Sequence, residues 1–354
     1  MPEPAPVEVV DLGSKRSRIP GVAAMRATSG FQRGMLVAGL VIVGFFVVIA
    51  LFAKWIAPYD FDQAGSGAST FVTQQAPSAH HWFGTTVDPY DVLSRVIYGA
   101  QTALEVIVLA VLLSIVVGVP LGLISGYFGG WLDRILVLVA DSLFAFPPLL
   151  LAIIVGVSIG GGGGKWSGIF ATAISITVVY VPQYFRVVRN ATVAAREEPY
   201  VEAARAIGAA PFAIMRRYVF SNVVQTVPVI ATLNAGDAIL TLAGLGFLGV
   251  GIEPTAAAEW GHDLNTAVQN DVTNGFWWSS VFPGAAIVLL VLGVTLVGES
   301  LNDVLNPLLR TAKIRRFSMP KRSEAKPIEP APVTLEKDSF FEDNSRPDKR
   351  IAND

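Results

Sequence analysis

Six windows of this chain, at about residues 35–57, 102–124, 135–157, 168–187, 222–246 and 281–301, are long, apolar and nearly free of Lys, Arg, Asp and Glu. A helix needs ~20 mostly apolar residues to cross the hydrocarbon of a bilayer, whereas a barrel strand needs about half that. Inside the bilayer each backbone N–H and C=O must be satisfied within the segment, which favours helices for windows of this length. The windows therefore predict an all-α polytopic membrane protein of six transmembrane helices. Charged residues make up only 15% of the 354-residue chain, against about 25% in soluble domains. The fourth window is short and interrupted by Pro182, which marks it as a helix with a weak point.

The segments between the windows divide the chain. Residues 1–34 form a polar, basic arm with Lys15, Arg16, Arg18, Arg26 and Arg33. No small-residue cleavage site follows the first apolar run, so 35–57 reads as an uncleaved first helix. Residues 58–98 form a long loop. Residues 99–309 hold the other five windows, with a basic loop at 188–221, and 310–354 form a charged tail with the composition of a disordered segment. Lys and Arg concentrate in alternate loops: Arg186 at the end of window four and Arg189, Arg196, Arg205, Arg216 and Arg217 before window five, while 247–280 has none. That asymmetry places both termini and the basic loop in the cytoplasm, and the segments after windows one, three and five outside. Net charge is −2 and no nucleic-acid motif is present. The absence of Cys removes disulfides, thiolate metal sites and cysteine nucleophiles.

The basic loop contains Glu198-Pro199-Tyr200-Val201-Glu202-Ala203-Ala204-Arg205-Ala206-Ile207-Gly208-Ala209-Ala210-Pro211. Pro199 suits a first helical turn, Gly208 a left-handed residue closing the helix, and Pro211 the start of a second short helix. At helical spacing, Tyr200, Ala203, Ala204 and Ile207 fall on one face, with Glu198, Glu202 and Arg205 toward the other. The expectation is a short helix–turn–helix at the membrane surface, either an ordinary interfacial helix or an element that docks into a groove of another protein.

Glu202-Ala203-Ala204 with Gly208 resembles the "EAA" loop of ABC importer permeases, in the position before the penultimate membrane helix where that family carries it. Phe83-Gly84-Thr85 and Asp91-Val92-Leu93-Ser94-Arg95 resemble an outer-loop signature of the second, C-type permease of dipeptide and oligopeptide importers. Gly126-Tyr127-Phe128-Gly129-Gly130-Trp131, Ala145-Phe146-Pro147, Phe247-Leu248-Gly249-Val250-Gly251, Trp260-Gly261, Phe282-Pro283-Gly284 and Gly298-Glu299 with Leu301, Asp303 and Pro307 match further stations. The likeness spans about residues 35–310. It departs where the family has an acidic residue followed by Gly-Arg and this chain has Thr86, Pro89 and Tyr90, and where Ser221 replaces a Pro after Val219-Phe220.

The resemblance implies a type I ABC importer permease fold in a bacterial cytoplasmic membrane. It implies that Glu202, Ala203, Ala204 and Gly208 form a coupling helix docking on an ATPase subunit. The partners implied are a second permease in a heterodimer, two ATP-binding subunits and an extracytoplasmic substrate-binding protein, with peptide as cargo. ATP would be bound by the partners, so the chain itself needs no cofactor and no catalytic residue. Nickel or another small solute is the alternative cargo, and a stand-alone secondary transporter or channel the alternative class. The latter would show inverted repeats or broken helices in matching halves.

Other features have plainer readings. Gly160–Gly164 followed by Lys165 lacks the first Gly and the final Ser or Thr of a phosphate-binding loop. Ser114, Gly118, Gly122, Gly126 and Gly130 recur every four residues, which lets helix backbones approach closely. Asp237 and Asn234, in the fifth window, are candidates for the translocation path, since an acid in hydrocarbon is expensive and faces an interior or a cavity. Asn234-Ala235-Gly236 supplies only one Gly of the Gly-x-Gly that precedes an intramembrane-protease aspartate. His80, His81 and His262 read as exposed loop histidines rather than metal ligands. Trp82, Trp260, Trp277 and Trp278 suggest that 58–98 and 247–280 meet the binding protein.

Overall fold

The computed structural model describes residues 30–66, 69–160 and 163–305. Nearly all of the N-terminal arm, the tail from 310 and Pro307 lie outside them. Twelve α-helices carry the described fold. They are α1 (Gly30–Leu51), α2 (Ala53–Ile56), α3 (Val92–Phe128), α4 (Gly130–Phe144), α5 (Pro148–Ile159), α6 (Lys165–Arg196), α7 (Pro199–Ala206), α8 (Pro211–Ile214), α9 (Phe220–Val223), α10 (Val227–Phe247), α11 (Trp260–Asn270) and α12 (Trp278–Leu305). A two-stranded antiparallel pair, β1 (Gly65–Ser66) and β2 (Ser69–Thr70), sits in the loop after α2.

Five described helical runs are long and apolar enough to cross a membrane, and the bent pair α4–α5 makes a sixth. The third window is therefore not one straight span, as its composition suggests. Its chain turns by 98° between α4 and α5. Pro147 and Pro148 follow Phe146 in mid-window; neither has an N–H to give, and each biases the residue before it away from helix. The fourth window departs the other way. Pro182 lies inside α6, which continues unbroken for 32 residues.

Packing of α3 on α6 explains that continuity. The two helices run side by side in the same direction, and the four-residue glycine ladder of α3 faces α6. A Cβ on Gly118 would stand 2.6 Å from the Tyr184 Cβ, one on Gly122 2.8 Å from the Phe185 carbonyl, and one on Gly126 2.7 Å from the Arg189 carbonyl. Lipid chains are as apolar as the side chains, so helices in a bilayer gain from close packing rather than from hiding apolar surface. Tyr184 is wholly buried, and Pro182 two residues before it is buried too. Gly130, the last of the ladder, meets nothing and instead has φ +70° at the turn between α3 and α4.

The glycine ladder predicts a sharp volume limit. Gly122→Val should cost about 1–3 kcal/mol through overpacking and lower the thermal midpoint of the purified protein. Gly44→Ala, at a position with nothing within 4 Å, should leave the midpoint unchanged.

Candidate functional site

Three regions hold the chemistry: a clamp at one end of the bundle, a cavity at the α4–α5 break, and an elbow at the opposite end.

The clamp joins the long loop before α3 to the segment around α11. Asp91 caps α3, its Oδ2 accepting from the Ser94 N–H and hydroxyl at 2.8 Å each, while its Oδ1 lies 2.9 Å from His81 Nδ1. The departure from the family pattern closes this loop: the Thr86 N–H donates to the Tyr90 carbonyl, and the Tyr90 N–H to the Thr86 hydroxyl. Arg95, only 2% exposed, donates to Asp263 at 2.7 Å and to the Phe61 carbonyl at 3.1 Å. The Trp260 indole donates to the Val96 carbonyl and its ring fills the space left by Gly99. The outer-loop signature is thus largely architectural. His81 is buried, not exposed as its loop position suggests, and so are Trp260 and Trp278, leaving Trp82 and Trp277 on the surface.

Glu259 is the least expected member of this region. Its two oxygens accept from the Gly261 and His262 N–H groups at 2.9 and 2.8 Å, capping α11, and it presses against Gly246 of α10. Burial pushes its carboxyl up to about 7 despite those two bonds. Sequence reading missed it; the signal was a Glu standing immediately before a short helix whose first turn docks through Gly261.

The bend between α4 and α5 opens a cavity of about 350 Å³. Phe144, Phe146 and Pro148 give it apolar walls, and Gln183, Asp237 and the Tyr180–Thr241 hydroxyl pair (3.1 Å) give it a polar strip. Asp237 is exposed there. Asn234, one helical turn earlier, is 1% exposed and lies inside the bundle, so the two candidate path residues are not brought together. Asp141 is not in the cavity either; its carboxylate pairs with Arg186 at 2.5 Å, and that guanidinium lies over the Phe144 ring.

The elbow comprises α7, Gly208 and α8. Gly208 has φ +80°, and the Ala209 N–H reaches back to the Ala204 carbonyl at 3.0 Å, closing the helix as a left-handed cap. Val201, Ala204 and Ile214 are buried beneath it. The expected apolar face is accordingly split: Ala204 packs inward, whereas Tyr200, Ala203 and Ile207 point away from the bundle, alongside Glu202. Ile207 is 83% exposed at the tip and Phe212 66%. Arg205 reaches the Tyr127 ring at the end of α3 (5.7 Å), and Arg196 donates to the Gly126 carbonyl. Beyond α8 the chain passes through a π-helical turn, Met215–Val219, and a 3₁₀ turn, Val224–Thr226, before α10. Ser221 lies between these two irregular turns.

This arrangement defines a multi-pass helical permease subunit with a surface elbow. The chain belongs to the family described as the binding-protein-dependent transport system inner membrane component, whose model matches residues 118–311. A second model, the N-terminal TM domain of oligopeptide transport permease C, matches residues 31–77. The glutathione transport system permease protein GsiD of Escherichia coli O157:H7 is 36% identical over 285 residues, 79% of this chain and 88% of the relative. The dipeptide transport system permease protein DppC of Alkalihalophilus pseudofirmus is 35% identical over 277 residues, 78% of this chain and 87% of the relative. As a member of this family the chain is a membrane permease, not an enzyme, and it works with ATPase and substrate-binding subunits.

Glu259 generates a pH prediction. Its carboxyl holds a proton up to about pH 7 in the folded protein but only to about 4.5 when unfolded. The folded state therefore binds more protons across that interval, and stability falls as pH rises from about 4.5 to 7. Glu259→Gln should flatten that part of a thermal-stability profile.

Proposed function

We propose that this chain forms half of the translocation path of an ATP-driven importer for di- and oligopeptides in a bacterial cytoplasmic membrane, and that Glu202, Ala203, Ala204 and Gly208 couple it to the ATPase. The observation that carries the reading is the elbow. A two-helix projection with a buried base exposes Ile207, Phe212 and Glu202, which is the form of an anchor that fills a pocket on a partner. Ala203, exposed beside them, leaves room for close approach. Ala204 serves the base. ATP is held by two partner subunits, a second permease supplies the other half of the path, and an extracytoplasmic binding protein delivers cargo. Both termini lie in the cytoplasm.

The peptide cargo rests on two supports. The relatives carry names for dipeptide and glutathione transport, and glutathione is itself a small peptide. The cavity also offers varied side chains mostly apolar walls, with Gln183, Tyr180 and Thr241 for amide groups and Asp237 for an ammonium. Asn234, buried against Tyr184 of α6, supports the wall of the path and does not touch cargo.

Two outcomes follow for the assembled transporter in proteoliposomes. Glu202→Arg with Gly208→Val should reduce peptide uptake by about 10-fold or more, the scale of an ordinary coupling free energy, while insertion and assembly of the bundle persist; unchanged uptake contradicts the coupling role. Asp237→Asn should weaken transport of peptides with a free amino terminus more than that of N-acetylated ones, and equal effects on both remove Asp237 from the path.

A further inference from the structure

A second cavity, of about 280 Å³, lies at the end of the bundle opposite the elbow. It is lined by Lys54, Asp60, Tyr98, Gln101, Thr102 and Lys165, among others. These come from the chain after α1, the first turns of α3 and the start of α6. The ammonium of Lys165 lies 3.1 and 3.0 Å from the two oxygens of Glu105, which holds it in place at the cavity wall. Lys54 is exposed, and no described carboxylate lies within ion-pairing distance of it. Asp60 accepts from the Phe61 N–H at 3.1 Å and from the Tyr98 hydroxyl.

The surroundings place this cavity at a membrane boundary. Trp55 is 77% and Trp166 59% exposed, one beside each lysine in the chain, and Phe52 leans on Trp55 at 5.4 Å. Exposed indoles at helix ends sit at headgroup level, where their rings are half apolar and half wet. Below them the exposed flanks are hydrocarbon: Val48 and Leu51 on α1, Val108 and Leu112 on α3, Phe170 and Ile174 on α6. A polar cavity with the free Lys54 ammonium, the Lys165 ammonium already paired with Glu105, and the Asp60 carboxylate, open above an apolar flank, matches a molecule with a phosphate, a positive end and acyl chains.

We propose that this cavity holds the headgroup of a zwitterionic phospholipid, phosphatidylethanolamine, with its phosphate between Lys54 and Lys165 and its ammonium on Asp60. The charge pattern selects among lipids. Phosphatidylglycerol has no ammonium for Asp60, and phosphatidylcholine has a quaternary one that cannot donate a hydrogen bond. Gln101 supplies a neutral donor and acceptor for the remaining oxygens, while the Thr102 hydroxyl donates to the Tyr98 carbonyl and the Tyr98 hydroxyl bonds to Asp60. Seated there, the lipid would tie α2 and the loop after it to α3 and α6.

The test uses the assembled transporter in nanodiscs of phosphatidylcholine doped with phosphatidylethanolamine or phosphatidylglycerol, released gently and read by native mass spectrometry. The wild type should retain phosphatidylethanolamine over either other lipid. Lys54→Ala and Asp60→Asn should each lower that preference by about tenfold, the scale of one charge-assisted hydrogen bond. Neither residue is part of the buried clamp, so the complex should assemble; Trp82→Ala, elsewhere on the same end, serves as the control and should keep the preference. Equal retention of phosphatidylethanolamine by wild type and both variants overturns the site, and preference for phosphatidylglycerol overturns its zwitterionic character. Retention of soluble glycerophosphoethanolamine equal to that of the lipid overturns the membrane source, and a cysteine at 54 that cross-links to the second permease instead of to lipid overturns the occupant.

Discussion

The close approach of α3 to α6 through Gly118, Gly122 and Gly126 is the constraint on which the rest of the molecule depends. A bilayer offers no hydrophobic reward for pairing two apolar helices, so the pair is held by contact between backbones that only missing side chains allow. The consequence is a double rod of 37 and 32 residues, about 55 and 48 Å long at 1.5 Å per residue. Both functional ends are mounted on it. At one end Arg95 and Val96 of α3 receive Asp263 and Trp260. At the other, Arg196 of α6 bonds the Gly126 carbonyl and Arg205 of the elbow stacks on Tyr127.

Irregular backbone lies beside the rod. Gly129 and Gly130 have φ +66° and +70° at the turn out of α3, the α4–α5 bend opens the cavity, and the π and 3₁₀ turns interrupt the passage from elbow to α10. Irregular turns of this kind inside long helices often mark a hinge or a strained sequence. A push on the elbow thus meets a stiff base at Val201, Ala204 and Ile214, with two jointed elements, α4–α5 and α9–α10, on either side of the Asp237 cavity. That is the mechanical layout expected of alternating access by rocking bundles.

Much of this was legible in the sequence because membrane helices are written in long stretches of one composition, and the glycine ladder and the Gly208 cap each follow from a single residue type. The misses have physical causes. Apolar composition says nothing about direction, so the third window looked continuous although Pro147 and Pro148 stood in its middle; Pro182 looked disruptive although neighbouring packing supports the helix across it. Helical spacing identified an apolar face on the elbow but not which half of it would be buried, since spacing does not say what lies beneath Ala204 or Ile207. Loop position made His81, Trp260 and Trp278 look exposed, because the contacts that bury them, Asp91, Gly99 and Thr85, are distant or unremarkable in sequence. The isolation of Asn234 from Asp237 belongs to the same class: three positions apart on α10, they face different surroundings.

The elbow's role is tested most directly by its tip. The chain has no native cysteine, so Ile207→Cys introduces a single thiol at the most exposed apolar point of α7. In the assembled transporter, a short bifunctional reagent at that thiol should join this chain to an ATPase subunit, and nucleotide should change the yield. A thiol at 207 that reacts with impermeant reagent from the outer face of intact cells, and never joins an ATPase, would contradict the account.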